Sequence, residues 1–462
     1  MARASYQEKA VSRTEAASHR DASLVRTIAG GLLLSAGFLV EGAGAARFYS
    51  LAIIVSGVFV LLGAIIAFFL GRRERSLDTY QPALPKGLQV SLLLFAATWI
   101  GRMVLDYRDL GLSGYGLKLA AAYCTHVAIL VVLILGRLFI RPSEALTGIV
   151  IGVAIYGLAN LVADYFGIGP ERSVELVERF NSRFDYTEER WLPPLAISNG
   201  SFSMLCAFSI CCALRMLGFC SVKEFRSKML FHLLALPILV ICSVKVQFRG
   251  ALIVVAAGFA WSALPFRMRP LLDMALLFLF PFVAMAFINL RGATVLQSLV
   301  PASVIEASGS SPEMFYTFSG RGYIWDYGFD QLADTHTLLM GEGPAKRDAT
   351  PGLLAAGLEE VGMTIGFHHS LVELLVAHGL PLTLLVLLAL WWVAIRSFRG
   401  VLSRRSTTPL SMEWLTISAS IGAVAAGSLI DGPLGYFPIL VLSLLPACCT
   451  VSKVSGLNRA KA

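Results

Sequence analysis

The apolar residues of this chain come in long blocks separated by short polar runs. Blocks of about 17–25 residues, the length a helix needs to cross a hydrocarbon core, recur at 27–46, 48–70, 87–105, 116–137, 143–163, 195–217, 228–245, 250–266, 270–290, 368–395, 411–430 and 432–451. In lipid every backbone polar group must be satisfied within the protein, which a helix does by itself. The expected fold class is therefore an all-α polytopic membrane protein of about twelve transmembrane helices. Its predicted parts are a polar tail (1–26), spans one to five (27–163), a loop (164–194), spans six to nine (195–290), a large loop (291–367), spans ten to twelve (368–451) and a second tail (452–462). The first apolar block follows its polar tail without a convincing small-residue cleavage site, so a retained helix is expected in preference to a removed signal peptide.

Charge fixes the expected orientation. Placing the N-terminus in the cytoplasm puts Arg72, Arg73, Arg75 and Lys86 on the inside, as it does the basic runs at 137–141, 215–228, 267–269 and 396–405 and those of both tails. The long intervals behave oppositely: 164–194 holds seven acids against four bases, and 291–367 holds nine against four. Cytoplasmic segments carry the excess of Lys and Arg, and a shift of one span would invert this bias from that point onward. Both ends are thus expected inside and both long loops outside. Within the larger loop, Ser319 can cap a helix carrying Trp325, Phe329 and Leu332 on one face.

Composition agrees and excludes other classes. The 462 residues are 56% hydrophobic and 15% charged, with mean hydropathy +0.71, whereas a soluble domain is about a quarter charged. The formal charge of +8 is spread over short inter-span runs and forms no soluble basic patch, so no nucleic-acid partner is expected. None of the eight cysteines lies in a CxxC pair, and neither a disulfide framework nor a zinc cluster is implied.

A few polar residues stand out at the expected outer face. Lys245 and Arg249 lie four apart at the end of the seventh span. Like charges at that helical spacing repel, and two cations facing one place suit an anionic ligand, the alternative being snorkelling to headgroups. Arg321, in Ser319-Gly320-Arg321-Gly322, sits where the loop helix begins, and a helix N-terminus together with a guanidinium can hold an anion. His368 opens the tenth span; there the helix dipole favours neutral imidazole, which can act as a general base. His369 beside it invites a metal reading, but consecutive helical residues do not share a face and no HExxH motif is near. Glu373, one turn on, is the next candidate base. Gly341-Glu342-Gly343-Pro344-Ala345-Lys346 lacks the spacing of a nucleotide phosphate loop and is expected to be a turn. No metal and no cofactor are expected.

Taken in order, Phe248-Arg249-Gly250-Ala251, Ser319-Gly320-Arg321 with Ile324-Trp325, Gly341-Glu342-Gly343, and His368-His369-Ser370-Leu371 followed by Gly379 resemble the motifs of the O-antigen ligase and surface-polysaccharide polymerase superfamily. The resemblance is clearest over about 195–395. It implies a GT-C-like glycosyltransferase bundle in the bacterial inner membrane with its active site facing the periplasm. It further implies metal-independent, inverting transfer of a glycan from undecaprenyl pyrophosphate to an acceptor hydroxyl, in O-antigen or exopolysaccharide assembly. Arg249 and Arg321 would then hold the pyrophosphate and His368 would be the base, with Lys245 bordering the same cavity. His369 stands where the family commonly has Asn. The implied partners are the lipid-linked donor, a glycan or lipid A–core acceptor, membrane lipid and other polysaccharide-assembly proteins. Ligase and polymerase share this donor chemistry and stay open. The rival from another class is a polytopic transporter or lipid-linked glycan flippase, which commonly shows paired halves and broken helices; no internal repeat is visible here.

Overall fold

A computed structural model describes residues 22–40, 49–75, 142–168, 199–218, 223–246 and 328–342, parts of 124–139, 191–196 and 372–388, and single positions elsewhere. Among the described residues every regular element is helical. The main helices are α1 (Ala22–Val40), α2 (Tyr49–Arg75), α3 (Pro142–Tyr165), α4 (Asn199–Gly218), α5 (Lys223–Val246) and α6 (Thr335–Met340). Three of them contain segments long and apolar enough to cross a membrane: Ala22–Val40, Ser143–Tyr165 and Lys228–Val246. The chain is a helical, membrane-associated protein on these grounds.

The side chains are arranged as lipid would require. α5 leaves Leu230, Leu234, Ile241 and Val244 at least half exposed, a stripe that water would penalise. α2 does the same with Ile54, Leu61, Phe68 and Phe69, and turns small residues inward. Its Ser56 is fully buried and donates to the Ala36 carbonyl at 3.0 Å. A Cβ on Gly63 would fall 2.8 Å from Leu33 Cγ. Small residues inside and large apolar ones outside is how helices pack when lipid supplies no hydrophobic drive between them.

α1 and α3 make the closest approach. Their contacts keep a constant offset from Arg26–Glu144 at one end, through Gly31 against Ile151 and Gly152, to Phe38–Tyr156 with ring centroids 5.8 Å apart. The two helices therefore run parallel. Added Cβ atoms on Gly30 and on Gly148 would both strike the buried Phe139 ring, so those glycines form a notch filled by one aromatic side chain. α2 runs against α1, since Ala36 meets Ser56 and Leu33 meets Gly63. α3, α4 and α5 pack together. Lys228 beside Ser143 and Lys245 beside Asp164 make α5 parallel to α3. Pro237 lies inside α5, where it removes one backbone donor and favours a kink. The core of the bundle centres on Phe38, Leu33, Leu146, Tyr156, Phe202 and Leu239, all without exposed surface.

Candidate functional site

Polar groups collect at both ends of the α1–α3–α5 bundle, and the two ends differ in kind. At the N-terminal ends the groups are enclosed. Arg26 and Glu144 pair at 3.4 Å with side chains 10% and 0% exposed, and Ser23 Oγ donates to the same Glu144 oxygen. Lys228 Nζ donates to Ser143 Oγ at 2.9 Å. One turn deeper, Thr147 Oγ1 and His232 Nε2 are 3.1 Å apart, while His232 Nδ1 is buried without a hydrogen-bond partner among the described residues. Each contact joins two helices, so the cluster fixes which turn of α1 and of α5 faces which turn of α3.

The opposite end opens outward. Tyr156 Oη donates to the Leu195 carbonyl at 2.8 Å, and Asn160 Oδ1 accepts from the Leu195 N–H at 2.8 Å. Asn160 Nδ2 returns to the Tyr156 carbonyl at 2.9 Å. α3 thereby holds the stretch that leads into α4, and with it Trp191. That ring meets Phe202 edge-on at 6.0 Å, and Phe202 meets Tyr156 edge-on at 5.4 Å. Lys245, in the last turn of α5, lies 4.8 Å over the Trp191 ring and donates to Asp164 Oδ2 at 2.8 Å. Their side chains are 42% and 37% exposed, so the ion pair faces the surroundings. Lys245 is thus a cation already matched by a carboxylate. Asp164 and Trp191 were not singled out from sequence; the one available signal was that each lies at an edge of an expected outer loop.

A third assembly lies in the large loop. Residues 328–333 are helical. Asp334 then caps α6, its Oδ2 accepting from the Thr337 N–H at 3.1 Å and from Thr337 Oγ1 at 3.1 Å. The Thr337 N–H first, then its hydroxyl, hold the Asp334 carboxyl below the usual carboxylate range. Gly341 ends α6 at φ 72°, a backbone that glycine adopts without strain. Glu342 N–H then donates to the Val376 carbonyl at 2.6 Å, joining this turn to the segment that follows His368. There Gly379 has φ 75° and Pro381 comes two residues later, the usual signature of a helix end followed by a new start. Leu339 lies against it: a Cβ on Gly379 would sit 2.8 Å from the Leu339 carbonyl carbon.

Ligand atoms of Asp334, His336 and Glu342 lie within 4.8 Å of one another. Asp334 accepts from the Thr337 N–H and Glu342 from the Thr337 hydroxyl, so local hydrogen bonding accounts for their proximity. Of the residues expected to act, Lys245 is placed as above, whereas Arg249, Arg321, His368, His369 and Glu373 lie outside the described residues, as do Ser319 and Trp325. Among the four ordered motifs, the structure joins the Gly341–Glu342 turn to the segment between His368 and Gly379. Comparison with models of protein families gives no match for the chain, and comparison with characterised proteins gives none either.

Proposed function

We propose that the chain is a twelve-span, lipid-linked glycan transferase that moves a glycan from undecaprenyl pyrophosphate to an acceptor hydroxyl at the periplasmic face of a bacterial inner membrane. The observation that carries the reading is the junction of Glu342 N–H with the Val376 carbonyl at 2.6 Å. It sets the Gly341–Glu342 turn against the stretch between His368 and Gly379, a contact that a site built from that loop and that helix would use. Helix direction supports the topology as well: α1, α3 and α5 run one way and α2 the other, as expected for spans one, five and seven against span two. In this reading Arg249 and Arg321 stabilise charge that develops on the leaving pyrophosphate. His368 takes the proton of the acceptor hydroxyl as that oxygen attacks the anomeric carbon, and one displacement inverts the configuration. No metal takes part in this account.

A transporter or flippase has one observation in its favour, the buried Arg26–Glu144 pair with Lys228 and His232 close by, because ionisable groups inside a bundle often mark pathways. Glu144 stands in the first turn of α3, Arg26 and Lys228 in the second turns of α1 and α5, and His232 one turn deeper, where a clamp near the helix ends explains them without a pathway. The deciding experiment mixes purified protein with a defined undecaprenyl-pyrophosphate glycan and candidate acceptors, in detergent and after chelation. Product formation without divalent ions is expected. Translocation of the lipid-linked glycan across vesicles, with no product formed, would replace the transferase with the flippase.

A further inference from the structure

Resting on the transferase reading, we propose that Trp191, Asp164 and Lys245 form a saccharide-binding subsite that receives the glycan next to the pyrophosphate. The three side chains come from the end of α3, the stretch before α4 and the end of α5, and are held together by contacts of 2.8 Å and 4.8 Å. As a stabilising device the arrangement is poor, since an ion pair this exposed is screened by water and contributes little. As a recognition surface it is well matched to a sugar. Lys245 uses one of its three N–H donors on Asp164, and the second Asp164 oxygen has no partner among the described residues. The pair therefore offers donors and an acceptor side by side, which hydroxyl groups can use in both directions, beside the part-exposed Trp191 ring, one face of which Lys245 covers.

Charge selects the ligand class. Lys245 and Asp164 cancel, so the pair carries no net charge and favours an uncharged polyol over a phosphate. That leaves the anion to Arg249, four residues further along the chain, and separates the sugar-reading group from the pyrophosphate-reading group. The ordinary alternative is an aromatic anchor at the membrane interface. Tyr165 and Phe166 fit that role, being 84% and 67% exposed. Trp191 differs: its Nε1 is buried and has no hydrogen-bond partner among the described residues, whereas an anchoring indole keeps its N–H toward water or a headgroup.

The test uses the full-length protein in nanodiscs and, as probe, the lipid-free glycan released by mild acid from the host's lipid-linked pool. Saturation-transfer NMR measures glycan binding, and transfer assays separate KM from kcat. Asp164→Asn, which keeps the shape and removes the charge, and Trp191→Leu should each weaken glycan binding and raise donor KM by about tenfold, the loss of one charge-assisted contact or one ring face. Trp191→Phe should stay within about threefold, because a ring remains. Inhibition by inorganic pyrophosphate should not weaken in Asp164→Asn, which leaves the Lys245 charge unbalanced. Unchanged glycan binding and KM in both Asp164→Asn and Trp191→Leu would overturn the subsite and leave the trio an interfacial anchor. Pyrophosphate inhibition that weakens in step with glycan binding would equally overturn it, in favour of a general anion rim. A wild-type protein that binds the glycan and transfers nothing would sink the transferase and spare the subsite; one that transfers with KM insensitive to these changes would do the reverse.

Discussion

The enclosed Arg26–Glu144 pair yields the most quantitative expectation. Glu144 has no exposed side-chain surface and Arg26 only 10%, at a separation of 3.4 Å. Taking two charges out of water costs several kcal/mol per ion, and their attraction offsets this only while both are present. Removing one partner strands the other, at about 3–5 kcal/mol. The two single changes should not be equal. Arg26 stands on the second turn of α1, and if Glu144→Leu leaves it alone its long side chain can reach toward the headgroups. Glu144 is short and fully enclosed, so Arg26→Met belongs at the upper end of that range and Glu144→Leu at or below its lower end. The double variant Arg26→Met/Glu144→Leu, with both sites apolar, should return to within about 1 kcal/mol of the parent. At roughly 2 cal/mol/K per residue of unfolding entropy, each kcal/mol corresponds to about 1 °C for a chain of this length, so the worse single variant loses about 3–5 °C. The assay is thermal unfolding in a fixed detergent, followed by tryptophan fluorescence and by size-exclusion recovery, run as a double-mutant cycle. If the two single losses simply add in the double variant, the residues act independently and the clamp argument fails.

Three further expectations follow from other parts of the molecule. A Cβ on Gly148 would fall 2.5 Å from Phe139 Cζ, so Gly148→Val should overpack the α1–α3 seam by about 1–3 kcal/mol; Phe139→Leu in the same chain should recover part of the loss, and no recovery in the thermal midpoint would place the strain elsewhere. The Asp334 carboxyl is held below its ordinary range by Thr337, so its contribution to the α6 cap is present above the unfolded carboxyl value of about 3.9 and is lost as pH falls through the lower folded value. Protection of residues 335–342 against hydrogen exchange, taken relative to the intrinsic rate at each pH, should therefore fall in acid in the parent and lose that pH step in Asp334→Asn, which still caps; an unchanged step would mean another group controls it. In transfer assays His368→Ala should lower the rate by about 10²–10⁴-fold while His369→Asn stays mild, and donor binding should weaken in Arg249→Ala and Arg321→Ala but not in His368→Ala. The opposite ranking of the two histidines would make His369 the base, and dispensability of both would turn attention to Glu373.

Block hydropathy by itself determined that α1, α3 and α5 contain helical segments of membrane length and that α2 is an apolar helix, because a long apolar run leaves a hydrogen-bonded helix as the available way to satisfy the backbone. Sequence also singled out Lys245 as a cation at a helix end, whereas the block 368–395 reads as one span and the left-handed backbone of Gly379 within it came from the structure. Sequence could not say which face of any helix is inside. These helices are apolar all round, so lipid-facing Leu234 and core-facing Leu239 read alike, and the periodic contrast that reveals a buried face in water is missing. Contacts between distant segments were equally hidden. Asp164 as the partner of Lys245, the seating of Trp191 through Tyr156 and Asn160, and the hydrogen bond from Glu342 to Val376 all depend on parallel helix packing or on a loop returning to the bundle. Hydropathy reports what solvent a residue prefers; only packing geometry decides which neighbour it meets.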